Sequence, residues 1–113
     1  MAKDDYHVIV YKILAYLYVQ LKNGEAVDAK CLRHDGRLFQ INFSYWTYIM
    51  RNMCNQGFIE GITITKVWGN DYAVEGLEAC NITPMGIEYL CDNSFMEKAK
   101  QFMKAVKEIT PFI

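Results

Sequence analysis

Residues 58–74 read Phe58-Ile59-Glu60-Gly61-Ile62-Thr63-Ile64-Thr65-Lys66-Val67-Trp68-Gly69-Asn70-Asp71-Tyr72-Ala73-Val74, and within this stretch the hydrophobic period changes. Upstream, apolar residues recur every three or four positions, as on helices. From Ile62 to Thr65 they alternate with threonine, as on a strand with one covered face. Gly69-Asn70-Asp71 reads as a turn, so residues 58–68 and the segment beginning at Tyr72 form the arms of a β-hairpin. A looser turn around Glu75-Gly76 leads into residues 77–82, and the pattern leaves the register of the arms open.

Upstream of the hairpin, Asn42 caps a helix over residues 43–56, which Gly57 stops. Phe43, Trp46, Ile49, Met50, Met53 and Cys54 fall on its inward side, and Ser44, Tyr45, Tyr48, Arg51, Asn52 and Asn55 on its outward side. Before it come an extended piece at 38–41 and a short helix at 27–33 with His34-Asp35-Gly36 as its exit turn. The chain opens with a helix over about 5–22, begun by Asp4 and Asp5 and ended by Asn23-Gly24. Val10, Leu14, Leu17 and Leu21 make one stripe on it, and Ile9, Ile13, Tyr16 and Val19 a second. A helix apolar almost all round needs cover on more than one face. Downstream, Thr83 caps a fourth helix with Pro84 in its first position. Ser94 and Glu97 form a capping box for a last helix at about 95–109, striped by Phe95, Ala99, Phe102, Met103, Val106 and Ile109 and ended by Thr110-Pro111.

Helix, helix, short strand, helix and two-stranded hairpin is the winged helix-turn-helix plan. The expected fold is therefore α+β, with a three-helix core, a hairpin wing and additional C-terminal helices. It forms one domain over 1–113, with a core at about 5–92. Gly57-Phe58-Ile59, then the hairpin, then Ile82-Thr83-Pro84-Met85-Gly86-Ile87-Glu88-Tyr89-Leu90 resembles the YjcQ family of small bacterial and prophage winged-helix proteins. In that family a helix likewise ends in Gly, aromatic, Ile, and a Leu-Thr-x-x-Gly-x-x-Tyr-Leu element follows the wing. The resemblance covers most of the chain and is clearest from Asn42 onward. It implies a fold and, through the family's association with phage genes, DNA binding; it brings no catalytic motif.

In such a fold the third helix enters the major groove and the hairpin touches phosphates. Arg51 is the one charged residue of that helix, and it is the expected bidentate reader of guanine. Asn52 and Asn55 suit adenine edges, and Ser44, Tyr45 and Tyr48 suit phosphates. The wing argues the other way. Residues 69–93 hold five acids, Asp71, Glu75, Glu78, Glu88 and Asp92, and no Lys or Arg, a charge that a phosphate backbone repels. Lys66 is the one base on the first hairpin arm, and Lys98, Lys100, Lys104 and Lys107 lie on the last helix.

The expected role is a DNA-binding transcriptional regulator of phage or bacterial type. The alternative is a protein-interaction or assembly module, a homodimer through the first and last helices. That alternative arises because Tyr6, Tyr11, Tyr16, Tyr18 and Val19 exceed what one small core accommodates, and aromatics are enriched at interfaces.

Composition bounds both readings. A chain of 113 residues is one domain's length. Its 12 basic and 13 acidic residues, net charge −1, oppose coating of a polyanion by bulk charge, and 52% hydrophobic content opposes disorder. Residues 8–19 are too short and too interrupted by Lys12 to span a bilayer, and Lys3-Asp4-Asp5 does not resemble a signal peptide, so a cytoplasmic address without membrane contact is expected. Cys31, Cys54, Cys80 and Cys91 form no Cys-x-x-Cys pair and read as reduced core thiols. Cys31 and His34, three apart, share a helical face, but no second pair completes a zinc site. With His7 the only other histidine, no enzyme activity, cofactor or metal is expected.

Overall fold

The computed structural model describes residues 5–69 and 71–92. Helix α1 runs Tyr6–Asn23 and stops at Gly24, whose left-handed backbone (φ 66°) turns its N–H onto the Gln20 and Leu21 carbonyls, a conformation glycine adopts without steric cost. Residues 8–17 are all buried, so the two stripes merge into one continuous run, wrapped by the helices Phe43–Asn55 and Pro84–Leu90 and the strand Asn81–Ile82. Lys12 belongs to this run: its stem is buried and its Nζ donates to the Leu38 carbonyl at 3.2 Å. Tyr11 and Tyr16 are buried within one chain, and Tyr6 and Tyr18 pack against the same core. Leu21, expected on the buried stripe, is 49% exposed.

Helix α2 is Ala29–Leu32, shorter than the 27–33 of the sequence reading. Asp28 sets its start: the carboxylate accepts from the Lys30 N–H at 2.9 Å, and its own N–H donates to the Tyr16 hydroxyl at 2.8 Å. Arg33 is already extended, so Cys31 and His34 do not share a helical face. In residues 38–41, Leu38 and Phe39 are buried, but the segment joins neither sheet. The Leu38 carbonyl accepts from Lys12, and the Ile41 N–H donates to the His34 carbonyl at 2.9 Å.

Helix α3 spans Phe43–Asn55. Asn42 caps it, accepting from the Tyr45 N–H at 2.8 Å, and Trp46, Thr47, Ile49, Met50 and Met53 are buried. The Trp46 indole donates to the Leu32 carbonyl at 2.8 Å, binding α3 to α2. Phe43, expected inward, is 43% exposed; its ring packs on His34 and Trp46 instead.

The hairpin is interrupted. Strand β1 (Ile59–Glu60) pairs antiparallel with β4 (Asn81–Ile82), and β2 (Thr63–Lys66) with β3 (Tyr72–Glu75), Thr63 facing Glu75 and Lys66 facing Tyr72. Between the two ladders the backbone kinks at Gly61 (φ 95°) and Gly76 (φ 82°). A Cβ on Gly61 would overlap the Ala79 carbonyl. The 3-10 turn Leu77–Ala79 follows the turn expected around Glu75-Gly76 and lies against the first arm at Gly61, and Leu77 plugs into the core.

Helix α4 (Pro84–Leu90) begins at Thr83. The Thr83 hydroxyl accepts from the Gly86 N–H at 3.1 Å and donates to the Gly57 carbonyl, and its backbone N–H donates to the Phe58 carbonyl at 3.0 Å. A Cβ on Gly86 would overlap the Phe58 carbonyl and lie 2.8 Å from Ile82 Cγ1. The Thr-x-x-Gly element is therefore a lock between the end of α3, the hairpin base and α4. The expected helix at 95–109, with its lysines and its share of the expected dimer face, lies outside the described residues.

Two measurements test this packing. Thr83→Val should lower stability in urea unfolding by about 1–2 kcal/mol, the worth of a lost cap, and Gly86→Ala by about 1–3 kcal/mol through overpacking; unchanged midpoints would refute the lock. Burial also pushes the Cys80 thiol and the Tyr16 and Tyr89 phenols up to about 12. The unfolded chain releases these protons near their ordinary values of about 8.5–10, so the folded state holds more protons in the interval between. Stability should be level from pH 7 to 8 and fall as pH rises from about 9 toward 12. Absorbance titration at 295 nm should show Tyr16 and Tyr89 ionising well above the ordinary tyrosine range, in step with the loss of stability.

Candidate functional site

The outward side of α3 divides into three settings. Ser44, Tyr48 and Asn55 are exposed and, spaced i, i+4 and i+11, line one face of the helix. Tyr48 presents 51% of its surface, and the Tyr6 ring meets it edge-on at 6.3 Å. Tyr45 is half-buried and packs on the core. Asn52 turns its amide back onto its own helix, donating to the Tyr48 carbonyl at 2.8 Å.

Arg51 is the departure. Its guanidinium carbon sits 4.1 Å from the centroid of the Tyr72 ring on β3 and 5.9 Å from that of Tyr48. The Nε is buried without a hydrogen-bond partner. The charge is held by ring faces, a contact worth about 0.5–2 kcal/mol, and the side chain joins α3 to the hairpin instead of projecting outward. Arg51, Cys54, Asn55, Ile62, Ile64 and Tyr72 line an open groove of about 440 Å³ there.

Charge is segregated around this face. No acidic residue lies between Asp35 and Glu60, so α3 carries Arg51 and no carboxylate. The hairpin and its return carry exposed Glu60, Asp71, Glu75 and Glu78 against Lys66. At the hairpin tip Trp68 is 93% exposed and Val67 44%. Among the described residues no three His, Cys, Asp or Glu side chains gather as a metal site, and none of the described helices is long and apolar enough to cross a membrane.

Of the six residues singled out from the sequence, the structure places Ser44, Tyr48 and Asn55 on the exposed face, while Tyr45, Arg51 and Asn52 are engaged within the fold. Sequence reasoning missed Tyr72, whose closeness to Arg51 depends on the hairpin register. It also missed the concentration of Lys30, Arg33 and Arg37, for which the signal was present as three bases within eight residues around a glycine.

A family model described as YjcQ protein matches residues 11–109. No curated protein and no solved structure matches the chain.

Arg51→Ala should cost about 0.5–2 kcal/mol in urea unfolding through loss of the ring contacts, whereas Ser44→Ala and Asn55→Ala should stay within about 0.5 kcal/mol of the parent. Equal stability for all three variants would show that the Arg51–Tyr72 contact does not hold α3 to the hairpin.

Proposed function

The chain belongs to the YjcQ family, and from that starting point we propose that it is a winged helix-turn-helix DNA-binding regulator of bacterial or phage type, with α3 as the helix that enters the major groove. The order of α1, α2, α3 and hairpin supports this plan. The observation that carries the reading is the α3 face: Ser44, Tyr48 and Asn55 exposed in line, in a stretch free of carboxylates from Asp35 to Glu60. A helix lying between two phosphate rows is repelled by any acid it bears, and this one bears none. Asn55 has the amide that pairs with an adenine edge, and the Tyr48 and Ser44 hydroxyls are suited to phosphate oxygens or base edges. Arg51 acts here by fixing the angle between α3 and the hairpin. For it to read guanine it must first leave the Tyr72 ring. This reading requires the acidic hairpin to lie clear of the phosphates, which would repel it.

A second reading, a protein-interaction or assembly module, is favoured by the hairpin tip. A tryptophan 93% exposed beside a half-exposed valine is the type of side chain that anchors protein interfaces. Homodimerisation through the first and last helices belongs to this reading and is compatible with the first, since paired winged helices read paired half-sites.

Fluorescence-anisotropy titration of a labelled random duplex at about 50 and 200 mM salt separates the two readings. DNA binding predicts measurable affinity at the lower salt and a steep fall at the higher, from counterion release. On a selected operator, Asn55→Ala should then cost about 1–3 kcal/mol of discrimination at one base pair. Absence of binding at low salt would overturn the regulator and leave the interaction module.

A further inference from the structure

Helix α3 carries Arg51 as its one charged residue, and three exposed cations gather at another place in the fold. Lys30 on α2 and Arg33 and Arg37 beyond it are all exposed, and with Asp35 and Gly36 they line one concavity of about 340 Å³. Their convergence depends on Gly36. Its N–H donates to the Arg33 carbonyl at 3.0 Å. A Cβ there would overlap the Lys30 carbonyl and lie 3.1 and 3.2 Å from the Arg33 and Cys31 carbonyls. With no side chain at this position, the backbone can double back over the end of α2, and that reversal returns Arg37 to the concavity that Lys30 and Arg33 already line.

Asp35 is the one acid lining the concavity, so three cations stand against one carboxylate. Its contact with Arg33 Nε is 3.4 Å long, between side chains 55% and 56% exposed. An ion pair of that kind contributes little and is screened by salt, leaving the guanidinium free to exchange partners. The other described cations do not gather: Lys12 is buried on the Leu38 carbonyl, Arg51 is on Tyr72, and Lys22 and Lys66 stand on α1 and β2.

The concavity is also fixed relative to α3. His34, between the cationic residues in sequence, sets its ring edge-on to Phe43 at 5.4 Å and lies 6.1 Å from Trp46. Its Nδ1 lies 3.3 Å from the Ile41 carbonyl, just before the Asn42 cap. The Trp46 indole in turn holds the end of α2. We propose that this Lys30–Arg33–Arg37 concavity is the phosphate-binding surface of the protein, holding the backbone of the duplex whose bases face α3. The inference rests on the DNA-binding reading and adds where its electrostatic affinity resides. The ligand chemistry is the phosphate oxyanion, for which a planar guanidinium offers paired donors.

The test compares the parent chain with a K30Q/R33Q/R37Q variant and with K66Q on the hairpin, each titrated against the same labelled random duplex across a salt series. Each cation that neutralises a phosphate contributes roughly 0.9 to the slope of log K against log salt. The triple variant should lose about two to three from the slope's magnitude and at least tenfold in affinity at low salt, with its unfolding midpoint unchanged because all three side chains are exposed. K66Q should change the slope by less than one. A parent that binds duplex while the triple variant keeps its slope overturns the phosphate surface and leaves DNA binding intact. A parent that binds no duplex overturns both. Isothermal titration with inorganic phosphate distinguishes the source of the anion: no saturable heat is expected for backbone contact, and saturable heat lost in the triple variant would replace it with a discrete small-anion site.

Discussion

The Thr83 hydroxyl is the contact on which the arrangement of α3, hairpin and α4 depends. It donates to the Gly57 carbonyl at the approach to the hairpin and accepts from the Gly86 N–H in the first turn of α4, while the Thr83 backbone N–H donates to the Phe58 carbonyl. The base ladder it secures is two residues long on each side, and an isolated two-stranded ladder is marginal in water. The hairpin holds its angle because Thr83 and Gly86 clamp its root and because Arg51 on α3 covers Tyr72 further out. Helix α4, so placed, packs against α1, where the Tyr89 hydroxyl reaches His7 Nδ1 at 2.8 Å. One side chain with a donor and an acceptor thus links three consecutive elements to the helix at the centre of the core.

What the sequence made legible follows from how far each residue's partner lies along the chain. Asn42, Thr83 and Gly24 act on groups within three or four residues, so their roles as caps and stops could be read directly. Three features that the pattern did not show share the opposite cause. Helix α2 starts later than its pattern suggests because Asp28 is engaged by Tyr16 from α1, twelve residues back. Arg51 leaves the outward face because a hairpin register invisible in the pattern brings Tyr72 beside it. The second arm breaks because Gly61 meets the Ala79 carbonyl across the hairpin. In each case a long-range contact overrode a local preference. Lys12 is a further instance: it reads as an interruption of an apolar run, yet its amine finds the Leu38 carbonyl and its stem fills the core, as long basic side chains do.

The same distinction governs the candidate site. The polarity of Ser44, Tyr48 and Asn55 and the gap in acids from Asp35 to Glu60 are properties of the sequence alone, and they survive folding. The concentration of Lys30, Arg33 and Arg37 is visible as composition, but its meaning as one concavity comes from Gly36 folding the chain over α2. Net charge conceals this organisation, because the cations before α3 and the acids of the hairpin cancel in the sum while occupying different parts of the chain.

Helix α3 is held at both ends. At its start, Asn42 caps the first turn, Phe43 and Trp46 surround His34, and the Trp46 indole reaches α2. Toward its end, Arg51 lies on Tyr72, and the chain leaving it is taken up by Thr83. A helix so restrained offers its exposed line of side chains at little further entropic cost to whatever it meets, since fewer degrees of freedom remain to be lost on binding. Adaptation is then left to the rotamers of Ser44, Tyr48 and Asn55 and to the exposed Trp68 at the hairpin tip. On the proposed DNA-binding reading, a rigid helix presenting Ser44, Tyr48 and Asn55 discriminates by hydrogen-bond geometry and shape, and the Lys30–Arg33–Arg37 concavity supplies the attraction. That division of labour gives Gly36 and Arg51 their place in one scheme: the glycine gathers the charge beside the helix, and the arginine gives up an outward position to set the hairpin's angle.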